Sequence, residues 1–148
     1  MDKFKKYEYV LNISSKELIH RLWKEKPTIQ QLRDELEHLN RVMREVALLA
    51  TDEVRYPMFL VETAFMKDFI LKRTQRLADH LLKKISDFCS ESVVEIHETF
   101  KEMNTRIMKK PEDEKELVDL KKFIQNAPKM VEDLQDKGKD VYHHMLIL

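Results

Sequence analysis

The feature that most constrains this chain is a long stretch, residues 63–109, that contains neither glycine nor proline. Apolar residues recur along it at spacings of three and four, which is the pattern of an amphipathic α-helix with charged residues on its other faces. A helix of this length extends roughly 70 Å, whereas a compact domain of this chain length has a radius of gyration of about 15 Å. We therefore predict an elongated molecule built round one long helix.

Composition favours an all-α fold and narrows the possible partners. Of 148 residues, 36% are charged and one is glycine, which is typical of long helices with few turns. Basic and acidic residues balance at 27 each, so the charge gives no reason to expect nucleic acid or an acidic membrane as a partner. The single cysteine and the lack of a membrane-spanning or signal-peptide run predict a soluble, intracellular chain.

Helix-start signals divide the rest of the chain. Ser14 with Glu17, and Thr28 with Gln31, each match a capping box. Together with the apolar periodicity they predict helices at about 15–25, 28–50, 63–109 and 112–146, after a lead-in over residues 1–13. Residues 54–61 are β-branched and aromatic enough to be briefly extended, but the sequence offers no partner strand elsewhere, so no sheet is predicted.

The last helix contains a proline, Pro128, in the middle of an apolar repeat that keeps its register. Because a turn between two helices usually shifts the register, the pattern favours one helix kinked near Pro128 over two helices joined by a turn. The chain ends on the apolar residues Met145, Leu146, Ile147 and Leu148, from which we expect it to be a piece of a longer protein.

The candidate functional residues are apolar residues that form a seam, a buried row, along each helix. Along these seams the helices would pack as an elongated antiparallel bundle. Their spacing of three and four is that of helices crossing at shallow angles. The predicted packing seam comprises Ile29, Leu32, Leu36, Leu39, Met43 and Val46; Leu77, Leu81, Ile85, Cys89, Val93, Ile96 and Phe100; and Leu117, Leu120, Ile124, Val131, Leu134 and Val141. Ala50 would extend the first of these seams.

Candidate catalytic groups are few. Glu17 with His20, and Glu35 with His38, match the Glu-x-x-His spacing of di-iron bundles, but Glu35 and His38 lie beside the Leu32–Leu36–Leu39 seam and are predicted to face outward. Adjacent His143 and His144 are predicted to be surface residues, and Cys89 a small core residue. A glycine-rich phosphate loop is impossible with one glycine, so nucleotide binding is not predicted. None of the candidate groups above is predicted to be catalytic or to hold a cofactor or a metal.

Several segments together resemble the stem of an axonemal dynein heavy chain, in the region shortly before the linker, and the resemblance covers nearly the whole chain. They are Tyr7-Glu8-Tyr9-Val10-Leu11, the helix that ends in Glu45-Val46, and Val54-Arg55 leading to Met58-Phe59. The strongest is the run of residues 110–124, Lys-Pro-Glu-Asp-Glu-Lys-Glu-Leu-Val-Asp-Leu-Lys-Lys-Phe-Ile. It is similar to the family's proline, acidic pair, Glu-Leu and aromatic-Ile run.

The resemblance implies a non-catalytic stem segment, residues 1–148, of a microtubule motor whose ATPase lies elsewhere in the parent chain. It implies neighbouring helices of the same heavy chain and other dynein chains as partners, no nucleic acid or membrane partner, and a place in the cytoplasm, on the cytoskeleton of the ciliary axoneme. The implied role is load transmission and assembly. Two alternatives remain: a free-standing helical adaptor that docks partner helices through its apolar stripe, and a di-iron helical-bundle enzyme.

Overall fold

The computed structural model describes the backbone of residues 2–24, 26–49, 53–55 and 60–148, and side chains within residues 4–24, 26–49 and 63–148. Helices dominate these residues, so the predicted all-α class is confirmed. In chain order the elements are α1 (Asp2–Lys5), α2 (Glu8–Asn12), α3 (Ser15–Trp23), α4 (Ile29–Ala47), β1 (Glu53–Arg55), β2 (Leu60–Glu62), α5 (Thr63–Met108) and α6 (Glu114–Met145).

Side-chain caps fix where the helices begin. Ser14 accepts a hydrogen bond from the Glu17 amide, and the Glu17 carboxylate accepts one from the Ser14 amide, a complete capping box before α3. Thr28 and Gln31 do the same before α4. Asp113 accepts from the Glu116 amide before α6. The helix bounds differ from the predicted ones by at most three residues.

A short antiparallel hairpin joins α4 to α5. Its register pairs Glu53 with Glu62, Val54 with Val61 and Arg55 with Leu60. The sequence suggested an extended piece with no partner, and that expectation is wrong because two short strands within the same part of the chain pair with each other. Ala50 and residues 56–59, which include the Met58-Phe59 pair, lie outside the described residues.

Helix α6 continues through Pro128. Proline lacks the amide hydrogen that would bond to the carbonyl four residues earlier, so one helical hydrogen bond is missing there. The side chain of Pro128 is exposed, which lets its ring lie in solvent. The two-helix alternative, with a turn at Pro128, is not what the structure contains.

The chain forms two compact units, Met1–Lys84 and Ile85–Leu148, and the division falls within α5. In the first unit α4 contacts α2 through Tyr9 and Glu35, α3 through Arg21 and Glu35, and the first part of α5 through Lys67, and the apolar side of α4 is buried. Its most deeply buried side chains are Tyr7, Val10, Leu18, Leu32, Leu39, Val46, Ile70, Thr74, Leu77 and Leu81. In the second unit the rest of α5 and α6 form a helical hairpin.

Four contacts define that hairpin as antiparallel. Along it, α5 residues of increasing number meet α6 residues of decreasing number. The contacts are Phe88 with His144, Cys89 with Val141, Glu95 with Lys137, and Arg106 with Phe123. Among the described residues, no helix combines the length and apolarity needed to cross a bilayer.

Candidate functional site

The seam of α4 is the best predicted of the three. Leu32, Leu36, Leu39 and Val46 are buried, while Ile29 and Met43 are half-buried. Val42 is buried in the place that the prediction gave to Met43, because the step after Leu39 is three residues and not four. A shift of one residue turns the face by about 100°, which moves Met43 to the edge of the interface.

The seam of α5 follows the prediction as far as Cys89 and then departs from it. Leu77, Leu81, Ile85 and Cys89 are buried at four-residue steps. Beyond Cys89 the steps alternate between three and four and pass through Ser92, Ile96, Thr99 and Met103, all buried or half-buried. Val93 and Phe100, which the sequence placed in the seam, are exposed.

Polar residues can occupy this seam because their hydroxyl groups bond to the helix itself. Thr99 Oγ1 donates to the Glu95 carbonyl oxygen at 2.8 Å, and the buried Thr74 does the same to Ile70 at 2.8 Å. A hydroxyl satisfied in this way loses little when it is taken out of water. Among the described residues, no buried side-chain nitrogen or oxygen lacks a hydrogen-bond partner.

The seam of α6 is also turned relative to the prediction. Val141 is buried and Leu120, Val131 and Leu134 are half-buried, but Leu117 and Ile124 are exposed. The side that meets α5 is centred instead on a row one residue earlier than the predicted one. That row comprises Glu116, Phe123, Met130, Lys137 and His144, all half-buried or buried.

A polar network connects α2, α3 and α4. Tyr9 Oη donates to Glu35 Oε1 at 2.8 Å, and Arg21 Nη2 donates to Tyr9 Oη at 2.5 Å and to Glu35 Oε2 at 3.1 Å. Partial burial, and then the hydrogen bond to the Glu35 carboxylate, raise the pKa of Tyr9 to about 12. The His38 ring lies edge-on to Tyr9, with centroids 5.6 Å apart. The outward orientation predicted for Glu35 and His38 is therefore wrong, because α2 packs over them.

Two cations of α5 hold neighbouring segments by their backbone carbonyls. Arg73 donates from Nε to the Val10 oxygen at 2.8 Å and from Nη2 to the Ile13 oxygen at 3.0 Å, at the end of α2. Lys67 Nζ donates to the Ala47 oxygen at 2.6 Å and the Leu49 oxygen at 3.0 Å, at the end of α4. Helix C-termini favour cations because their last carbonyls lack partners. Sequence periodicity gives no signal for such contacts.

Cys89 and His144 lie on facing helices of the second unit. Burial of Cys89 confirms it as a core residue, and burial, followed by the charge of Asp140, raises the pKa of its thiol. His144 is buried too, with Nδ1 2.8 Å from the Asp140 carbonyl oxygen and its ring 5.1 Å from that of Phe88. The prediction of a surface position holds for His143 only, because α5 covers His144.

The glutamates of both Glu-x-x-His motifs have structural roles. Glu17 closes the capping box of α3 and Glu35 accepts from Tyr9 and Arg21. Within the described part of the chain, no three His, Cys, Asp or Glu side chains are grouped so that they could hold a metal ion.

Comparisons of the chain with known protein families, with curated proteins and with solved structures identified no match.

Proposed function

We propose that this chain is a non-catalytic helical scaffold segment of the stem of an axonemal dynein heavy chain, which transmits load and assists assembly between the motor and the cargo-bound tail. What supports the proposal is the run of residues 110–124, which resembles the family's proline, acidic pair, Glu-Leu and aromatic-Ile run. It forms the α5–α6 connection and the start of α6, where Asp113 caps the helix and Lys109 pairs with Glu116 at 3.1 Å.

The roles of the polar residues also support a scaffold. Glu17 and Asp113 cap helices, Arg73 and Lys67 hold backbone carbonyls, and Glu35 completes a network between helices. Each of these contacts fixes one helix relative to another or fixes a helix end. A segment that carries load needs such contacts in addition to apolar packing.

The identity of the parent protein is tested by tagging the gene in ciliated cells. We expect the tag in a polypeptide far longer than 148 residues that sediments with axonemal microtubules. The purified 148-residue chain should bind no ATP, and its solution scattering should give a radius of gyration well above the roughly 15 Å of a compact domain. A free 148-residue product that stays out of the axoneme would contradict the proposal.

A free-standing adaptor is the second candidate, favoured by the apolar side chains that the second unit leaves exposed. They include Val93, Phe100 and Ile107 on α5, and Leu117 and Ile124 on α6. The same tagging experiment separates the two candidates, because an adaptor is made as a short chain and a stem segment is part of a motor heavy chain.

A further inference from the structure

Two rows of apolar residues run along the second unit, and all their members except the half-buried Val131 are exposed. Val93, Phe100 and Ile107 are spaced by seven residues on α5, and so are Leu117, Ile124 and Val131 on α6. Val93 is 50% exposed, Phe100 44% and Ile124 50%. A seven-residue spacing keeps a row on one side of a helix over several turns.

The two rows lie on the same side of the hairpin. On α5 each row member follows an interface residue by four positions, as Val93 follows Cys89. On α6 the same holds for Ile124 after Leu120. A step of four residues rotates the side-chain direction by one full turn and about 40° more. Followed along the chain, this rotation has the same sense on both helices. Because the helices are antiparallel, equal turns away from the shared interface bring both rows to one side.

This side of the hairpin carries little charge. Beside the α5 row lie Ser90, His97 and Asn104, and beside the α6 row lie Lys121, Pro128 and Gln135. We call the two rows and these six neighbours the low-charge face. The opposite side of the hairpin is heavily charged with both signs. It has Glu91, Glu95, Glu98 and Glu102 on α5, and Asp119, Asp133 and Asp140 beside Lys115, Lys122 and Lys129 on α6. In a chain with 36% charged residues, such a division marks the low-charge face as a surface that another helical surface covers.

The only glycine of the chain lies in the row of α6 that forms this face. Gly138 follows Val131 by seven residues and lies inside the helix, where glycine costs about 1 kcal/mol relative to alanine. Apart from the adjacent backbone of α6, no heavy atom of the described residues lies within 4 Å of the position that a Cβ would take. Nothing described in this chain therefore requires a glycine there, but close approach of another helix would.

We propose that the low-charge face is a homodimer interface, on which the hairpin of a second copy packs to form a four-helix bundle. Charge favours a second copy because an isologous interface places a surface against itself. The low-charge face has Lys121 as its only Asp, Glu, Lys or Arg, so it meets its copy with little repulsion between charges of one sign. On the opposite side many charged groups would lose their hydration in such a contact.

The available area agrees with a dimer. Half of a large apolar side chain amounts to on the order of 90 Å². Five such side chains, the half-buried Val131 and the six neighbours, of which only Lys121 is a Lys, Arg, Asp or Glu, offer roughly 700 Å², close to the roughly 800 Å² that each partner buries in a standard interface. This inference does not rest on the proposed stem function, since it uses only the packing of the second unit.

Sedimentation equilibrium of the 148-residue chain over a wide concentration range tests the proposal, with a matched pair of variants. Val93 and Val94 are adjacent and 50% and 55% exposed, but Val94 lies about 100° further round the helix, off the low-charge face. We expect the wild-type chain to reach twice its monomer mass. Val93→Lys should raise the dimer dissociation constant about tenfold or more, and Val94→Lys should leave it unchanged. Circular dichroism should show equal helix content in all three.

Gly138→Ala tests separately whether a helix of the second copy approaches closely at Gly138. Alanine should keep or raise the melting temperature of the monomer, since it favours helix and meets open space, yet weaken the dimer. An unchanged dissociation constant would overturn the placement of the helix crossing at Gly138. A wild-type chain that stays monomeric, one that forms open-ended assemblies, or equal loss of the dimer in Val93→Lys and Val94→Lys would overturn the homodimer interface.

Discussion

The phenol of Tyr9 donates a 2.8 Å hydrogen bond to the carboxylate of Glu35, which is 26 residues away in sequence. Arg21 bonds to both groups, so one contact point connects α2, α3 and α4. Because Glu35 accepts from a phenol and from a guanidinium, loss of either donor leaves a largely buried carboxylate with fewer partners.

Tyr9→Phe should lower the free energy of unfolding by about 1–2 kcal/mol, since it removes a partly buried hydrogen bond to a charged acceptor and keeps the ring. Urea denaturation followed by circular dichroism measures the change. Tyr142→Phe is the matched control, because Tyr142 is exposed. Equal effects of the two substitutions would show that the Tyr9 hydroxyl contributes nothing specific.

The raised pKa of Tyr9, about 12 in the folded chain against 10.0 in its ordinary state, predicts a loss of stability in strong base. The folded state holds the phenol proton more tightly than the unfolded state does. The stabilisation is therefore complete below pH 10 and is lost as the pH rises from about 10 to 12. The wild-type chain should lose more stability over this interval than Tyr9→Phe does, as measured by urea denaturation at each pH. Parallel curves for the two proteins would contradict the assignment.

Pro128→Ala should stabilise the chain by about 1–3 kcal/mol, because α6 continues through this position and the new amide restores a helical hydrogen bond. Thermal melting detects the change as a higher midpoint. Gln125→Ala, at an exposed site one turn earlier, controls for the helix propensity of alanine alone. A lower midpoint for Pro128→Ala would mean that residues near 128 form a turn and not a helix.

Arg73→Met should destabilise the first unit by about 1–3 kcal/mol, because the Val10 and Ile13 carbonyl oxygens lose their guanidinium donor. The same substitution at the exposed Arg76, three residues later on α5, serves as the control. Limited proteolysis should cut residues 1–13 faster in Arg73→Met than in Arg76→Met. Equal cleavage rates would show that apolar packing alone holds α2 against α5.

The sequence by itself determined where α3, α4, α5 and α6 are and which side of α4 is buried, but not where α1 and α2 are. Ser14 and Thr28 mark helix starts because their side chains satisfy amides that a helix leaves unpaired, which is a local effect that needs no tertiary partner. The long helix α5 follows from the absence of helix-breaking residues, and the burial of Leu32, Leu36 and Leu39 follows from a stripe with a single apolar side.

Only the tertiary structure decided which of two neighbouring rows on α5 and α6 turned inward. Periodicity gives the period of the buried side but leaves its direction uncertain by about one residue, or 100° of rotation. The structure buries Ser92 and leaves Val93 exposed. Polarity is a weak guide here because a seam hydroxyl can bond to its own helix, as that of Thr99 does. Burial of Glu35 and His144 likewise depends on which helix covers them, and that is settled by contacts between residues far apart in sequence.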